Sequence, residues 1–331
     1  SKKFLRDEKP YFYLYQISMG QHTQIGIISE VSVEEYDNGL IKKHEYTRPD
    51  KENDRTKHVQ MTNANTGPVF LTFKNNGDFK NLIKNTTEKK PYISFKADDY
   101  TFHSIWKLKS ESIIKNIESY FRSIPDLYIA DGHHRAAAAS RVKKLKQDLN
   151  PKHSGKESYN FFLSVIFPHD QVQILGYNRL VDPSQIDQGN LLDFISLNFK
   201  ISKLSNGKHP ASKTTIAMYF SGSWYYLKFK EKLSSNNFVS TLSASILQNY
   251  LLKPFFKIDD PRTSDKLEFI GGIKGLEELE NMCSKKMIAF VMCPVEVDDL
   301  FTVADAGQVM PPKSTWFEPK LRSGLVVRLL D

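Results

Sequence analysis

The chain has 331 residues, 40% hydrophobic and 25% charged: a length for two lobes or one elaborated domain, and a composition that excludes disordered and fibrous architectures. Its 46 basic against 38 acidic residues leave a formal charge of +8, which suits nucleic acid and a small anionic substrate equally well. No apolar run nears the roughly eighteen residues of a membrane span, the opening SKKFLRDEKP has no signal-like apolar stretch, and Cys283 and Cys293 stand outside any zinc or CxxC spacing. A cytoplasmic protein without disulfides or structural zinc is therefore expected.

In chain order, YFYLYQIS and IGIISEVSV flank MGQHTQ as two neighbouring strands, the start of a sheet. Pro49 can open a helix at its first turn, with acidic residues behind it suited to that end of the dipole, which predicts a helix over 49–61. TNANTGP is a turn-rich loop before the strand VFLTFK, and PYISFKADDYTFHSIWKL has the pattern of a hairpin. Ser110 can cap the helix SESIIKNIESYFRS, and Pro125 ends it. DLYIA is short and strand-like, and from His133 through the alanine run to SRVKKLKQDL the residues are strong helix formers. After the polar NPKHSGKES come YNFFLSVIF, PHDQ and VQILGYNRLV as strand, turn and strand, then TTIAMYF, SGS and WYYLKFK in the same pattern. Helices over SQIDQGNLLDFIS and VSTLSASILQNYLL stand on either side of that second pair. GGIKGLEELENMCS is a turn and helix, MIAFVMC a buried strand, and VEVDDLFTVADAG a helix before MPPKSTWFEPKLRSGLVVRLL. No regular βαβ beat and no fixed-period repeat appears, so the expected class is α+β rather than doubly wound.

The densest chemistry lies at DGHHR, where a strand turns into a helix. Gly132 lets the backbone turn tightly or approach a ligand, and the helix N-terminus behind it presents amides and a positive dipole end that attract phosphate. Arg135 adds a fork for oxyanions, His133 and His134 can donate to phosphate oxygens, and Asp131 can hold Mg²⁺ or orient a hydroxyl. The plain alternative makes Asp131 an N-cap and the histidines exposed first-turn residues. Adjacent histidines on a helix do not share one metal, since neighbours there are three or four apart.

DGHHR after a strand, KKHEYTR, NANTGPVF, FPHDQ, DPRT, GGIKGLEEL, VADAG and MPPKSTWFEPKLRSG are separate motifs spread along the chain, and together they resemble a family long catalogued as a domain of unknown function. Its characterised relatives are free L-serine kinases with a ParB/sulfiredoxin-like catalytic core. The resemblance runs from about Tyr11 onward; long members carry an additional N-terminal segment before the first strand, whereas this sequence begins almost at that strand. It implies a ParB-like core over 1–150 and a mixed α/β C-terminal lobe over 151–331 that completes the substrate and phosphate site. It also implies Mg²⁺-dependent phosphoryl transfer to the hydroxyl of L-serine, giving O-phospho-L-serine. Serine's hydroxyl is a poor nucleophile, so a general base helps; in the small serine kinases that base is a glutamate in a short HE element, which falls here on Glu45. Family members use ADP, ATP or inorganic diphosphate, and diphosphate goes with long members resembling this chain.

A second polar concentration, PPKSTWFEPKLRSG, supplies Lys313, Ser314, Thr315, Lys320 and Arg322 as phosphate or carboxylate donors, with Trp316 and Phe317 as walls; a proline-stiffened surface loop accounts for it equally well. DPRTSDK offers Asp260, Arg262 and Thr263 to similar ends. Asn65 and Thr66, with Gly67 allowing close approach, could touch substrate, although loop chemistry explains these stretches too. There is no GxxxxGK[ST] loop, no GxGxxG after a strand and no HRD or DFG set. The expected partners are small molecules, L-serine with diphosphate or a nucleotide, and neither nucleic acid nor membrane. Because ParB-type proteins share the core and the chain is basic, a nucleotide-responsive DNA-associated regulator is the alternative. The absence of a helix-turn-helix pattern and the scatter of the lysines weigh against it. A degenerate binding protein is a third reading, opposed by the presence of Glu45 and Asp131.

Overall fold

The computed structural model describes residues 4–184, 186–231, 237–283 and 287–330. The chain is mixed α/β with several sheets and divides into two compact units, Ser1–Val172 with Pro319–Asp331, and Gln173–Glu318.

In unit 1 the chain runs β1 (Phe12–Met19), β2 (His22–Ser32), α1 (Val33–Asp37), β3 (Ile41–Lys42), α2 (Pro49–Thr62), β4 (Ala64–Asn65), β5 (Val69–Phe73), α3 (Phe79–Thr87), β6 (Ile93–Lys96), β7 (Phe102–Leu108), α4 (Glu111–Arg122), β8 (Leu127–Asp131), α5 (His133–Asp148) and β9 (Phe161–Pro168). Eight strands form one sheet in the order β3-β8-β5-β9-β2-β1-β7-β6, with β3 parallel to β8 and β5 parallel to β9. Alternation along each strand sorts the faces: Leu14, Ile27, Val31, Leu71, Phe73, Trp106 and Ile129 point into a core shared with Tyr36 of α1, Phe79 and Ile83 of α3 and Ile117 of α4. The alanine run of α5 belongs to this core, and its short side chains bring that helix backbone close to the sheet.

In unit 2 the order is β10 (Gln173–Leu175), β11 (Tyr177–Val181), α6 (Leu191–Asn198), β12 (Phe199–Leu204), β13 (Thr215–Phe220), β14 (Ser223–Phe229), α7 (Ser243–Leu247), a π-turn over Gln248–Leu252, β15 (Leu267–Gly271), α8 (Gly275–Cys283), β16 (Ile288–Val291), α9 (Val297–Asp305) and β17 (Trp316–Glu318). Its six-stranded sheet has the order β12-β14-β13-β16-β11-β15, and β10 pairs with β17 apart from it. The last strand, β18 (Arg328–Leu329), belongs to unit 1, where it pairs with β4.

The division differs from the expected boundary at residue 150. β9 is an interior strand of the eight-stranded sheet, hydrogen-bonded to β2 and β5, so the first unit runs through it to Val172. The chain then comes back: the residues from Pro319 onward fold with the first unit. YNFFLSVIF and VQILGYNRLV, adjacent strands in the sequence, accordingly lie in different sheets. Among the described residues no helix is long and apolar enough to cross a membrane.

Candidate functional site

Within unit 1 the site grows from the C-terminal end of β8. Gly132 takes φ +100°, a region that costs an L side chain but not glycine, and turns the chain from β8 directly into α5. Gly132 itself occupies the N-cap position, so Asp131 is not the helix cap; it is the last strand residue and its side chain is half-exposed. His133 is buried in the first turn rather than solvated.

Asp131 has cations on two sides. Lys320 Nζ lies 3.4 Å from Oδ2 and Arg135 Nη2 lies 3.9 Å from the same oxygen. Burial works against ionisation of this carboxyl, but Lys320 and Arg135 outweigh it and hold the group below the usual carboxylate range. Lys320 comes from the returning C-terminal segment, which the amide of Gly324 fixes by donating to the Thr66 carbonyl at 2.7 Å. Beside that contact, a Cβ added to Gly67 would stand 2.8 Å from Ser323 Oγ and 3.2 Å from Arg135 Nη1. The NANTGP loop, the returning segment and the start of α5 therefore meet so closely at Gly67 that no larger residue fits without displacing one of them.

The loop with Glu45 is fastened to the same turn. β3 pairs in parallel with β8, Lys42 opposite Tyr128, so the loop after β3 and the turn after β8 leave from the same end of the sheet. His44 is fully buried and meets the His133 ring edge to face, centroids 4.6 Å apart. Burial pushes its pKa down to about 4, against a hydrogen bond to the Ile129 backbone and the charge of Asp131, so His44 is neutral at ordinary pH. Three residues beyond Glu45, the Arg48 amide donates to His134 Nε2 at 3.0 Å, which makes that nitrogen an acceptor and places the proton of a neutral His134 ring on Nδ1. Glu45, half-buried, sits between these two fastenings.

Arrangements of this kind suit an anion carrying several oxygens: helix amides, a guanidinium and an ammonium face one carboxylate, with a second carboxylate on the adjoining loop. Residues 1–249 match the family model described as protein of unknown function, DUF1015. The chain belongs to the DUF1015 family. Among solved structures this DUF1015 chain is similar to a free serine kinase in complex with AMP, at 14% identity over 88% of this chain and 86% of that one, TM-score 0.45. It is similar as well to SbnI with a C-terminal truncation from Staphylococcus aureus (13%, 91% and 87%, TM-score 0.45) and to a conserved hypothetical protein from Pyrococcus furiosus (13%, 89% and 93%, TM-score 0.43). No curated protein matches it.

Two expected site residues of unit 1 are committed to the chain itself. The Asn65 side-chain oxygen accepts from the Leu163 amide at 3.3 Å and from Arg328 Nη1 at 3.4 Å, bracing the β4–β18 pair instead of facing open space. Arg322 turns its guanidinium to Asp99, Nη2 to Oδ2 at 2.9 Å. Thr66 contributes its backbone carbonyl, the acceptor for Gly324. Ser323 and His44 were not among the expected residues; the signal for both was adjacency, to Arg322 in LRSG and to Glu45 in HE.

Lys313, Ser314, Thr315, Trp316 and Arg262 lie in unit 2. Lys313 is left-handed, φ +58°, with its ammonium 5.6 Å from the centre of the Tyr177 ring. Ser314 is buried and donates to the Pro311 carbonyl, and the Pro312 carbonyl accepts from Arg179 Nη2 at 3.2 Å. The Trp316 indole donates to Glu318 and meets Tyr177 edge to face at 4.9 Å. This segment is thus a braced turn leading into β17, not a loose surface loop. Arg262 is exposed and grips Asp260 through Nε and Nη2 within its own turn.

Proposed function

We propose that the chain is a free L-serine kinase that transfers a phosphoryl group to the serine hydroxyl, with inorganic diphosphate favoured over ADP or ATP as donor. The observation that carries this reading is the fastening of the Glu45 loop to the DGHHR turn through His44 on His133 and Arg48 on His134. It brings the general base expected from the HE element to the turn best suited to hold phosphate.

In this reading Glu45 takes the hydroxyl proton as serine's oxygen attacks phosphorus. An O–P bond forms to serine, the bridging P–O bond of the donor breaks, and the leaving phosphate keeps that electron pair. Phosphoryl transfer asks the protein chiefly for positioning and charge neutralisation. Gly132 and the amides behind it, Arg135, Lys320 and the protonated nitrogens of His133 and His134 do that work. Lys320 and Arg135 rest on Asp131 until donor oxygens compete for them. Asp131 would also touch Mg²⁺: among the described residues no group of three His, Cys, Asp or Glu could cage a metal, but Mg²⁺ takes one or two carboxylates together with substrate phosphates and water, and a single carboxylate beside a phosphate site fits that habit. Bound there, the ion would neutralise donor charge.

The reading is tested by incubating the protein with L-serine, Mg²⁺ and each of diphosphate, ADP and ATP, and monitoring phosphorus NMR. A phosphoserine resonance that needs both serine and donor supports it. Donor consumption without that resonance, or no consumption, refutes it.

A further inference from the structure

On the sheet face opposite the helices of unit 1 lies a polar cluster that the proposed reaction does not use. Tyr15 and His103 are buried at 1% and 0% exposure on the neighbouring strands β1 and β7, and the turn before β7 adds Asp99 and Thr101. Tyr15 Oη is 2.9 Å from His103 Nδ1, His103 Nε2 is 2.7 Å from Thr101 Oγ1, and Thr101 Oγ1 is 2.5 Å from Asp99 Oδ1. Both ends of this chain reach Arg322: its amide donates to Tyr15 Oη at 3.4 Å, and its guanidinium pairs with Asp99 Oδ2 at 2.9 Å.

The protons can be ordered from these contacts. Asp99 is held ionised by Thr101 and Arg322, so the short contact to it must contain the Thr101 hydroxyl proton. Thr101 then has only lone pairs to offer His103, and the proton between them belongs to Nε2. With the ring buried beside a guanidinium, His103 stays neutral, and Nδ1 accepts from Tyr15. Arg322 Nε also approaches His103 Nε2, at 3.4 Å, a longer contact than the 2.7 Å from Nε2 to Thr101 Oγ1. Along the chain from Tyr15 through His103 and Thr101 to Asp99, each proton has one acceptor.

We infer that Tyr15, His103, Thr101 and Asp99 are positioning residues: they close a hydrogen-bonded ring on Arg322 that seats the segment after Pro319, and with it Lys320 and Ser323, against Asp131 and Arg135. Lys320 stands two residues before the anchored Arg322 and Ser323 one after it, so the ring sets where both fall. The ring itself needs no ligand; its consequence for donor use rests on the serine kinase reading.

The test compares Thr101→Val, which trades the bridging hydroxyl for a methyl, with Thr101→Ser, which keeps it, and with His103→Phe. Tryptic cleavage after Lys320 and Arg322 is monitored by mass spectrometry, together with exchange of the Gly324 amide. Thr101→Val and His103→Phe should raise cleavage at these two sites about tenfold or more, as expected for a segment released from its anchor, with other sites little changed; Thr101→Ser should match wild type. Donor KM should rise in Thr101→Val while kcat and serine KM stay close to wild type. Nitrogen NMR of the wild type should show His103 with an unprotonated Nδ1 and a protonated Nε2. Wild-type cleavage and exchange in Thr101→Val, or the reverse tautomer, overturns the ring, and Thr101→Val decides the matter should His103→Phe fail to fold. Faster cleavage with unchanged donor KM overturns the link to the site. Should wild type form no phosphoserine at all, the kinase reading fails and cleavage alone still judges the ring.

Discussion

His44 and His133 meet edge to face with their ring centres 4.6 Å apart, and this buried contact joins two motifs that lie 89 positions from one another. The contact between the two rings holds the HE loop to the DGHHR turn.

That role has a pH signature. His44 is depressed to about 4 in the folded chain against an ordinary value near 6.5. The unfolded chain therefore binds a proton that the folded chain refuses, and the stability associated with a neutral His44 is present above pH 6.5 and lost as pH falls toward 4. The loss amounts to at most about 3 kcal/mol. Urea midpoints measured between pH 7.5 and 4.5 should fall less steeply for His44→Gln than for wild type. Parallel curves would show that His44 does not carry the titration.

Glu45→Gln keeps shape and hydrogen bonding but removes the proton acceptor. Turnover should fall by about 10² to 10⁴-fold with donor binding nearly intact, measured by calorimetry alongside the phosphoserine assay. A variant that keeps more than about a tenth of wild-type kcat would remove Glu45 from the role of base.

Gly132→Ala probes the turn. Its φ of +100° is costly for alanine, and the new Cβ would stand 2.8 Å from Arg135 Nε. A destabilisation of about 1–2 kcal/mol is expected from the backbone alone. Displacement of the guanidinium should also weaken donor use beyond that of Arg135→Lys, which keeps the charge and loses only the fork. Equal donor KM for the two variants and wild type would mean that this helix start does not hold phosphate.

The donor choice comes from the kind of side chain gathered at the turn. A nucleotide needs an apolar home for its base as well as phosphate donors, and the motifs that stand out here, DGHHR with Lys320 above all, suit phosphate. Diphosphate should support phosphoserine formation with a higher kcat/KM than ADP or ATP at matched free Mg²⁺, and adenosine should barely inhibit. Faster turnover with either nucleotide overturns the donor choice and leaves the serine kinase reading standing.

The sequence by itself determined what is local. Pro49 and the acids behind it start α2, the hairpin patterns of β1–β2, β6–β7 and β13–β14 form as read, and a strand of apolar residues ending in Asp131 before glycine and helix formers becomes β8, turn and α5. These depend on propensity, alternation and turn chemistry over a few residues. Only the tertiary structure decided which distant segments share the turn: that β9 pairs with β2 and β5 and moves the unit boundary to Val172, that Lys320 rests on Asp131 across 189 positions, and that Asn65 and Arg322 serve as braces. A lysine looks the same in the sequence whether it faces water or a carboxylate from another strand. The difference is set by strand order and by the return of the chain after Pro319, which arise from burying one sheet face against its helices and satisfying the backbone at β4 and β18. Neither leaves a periodic trace around residue 320.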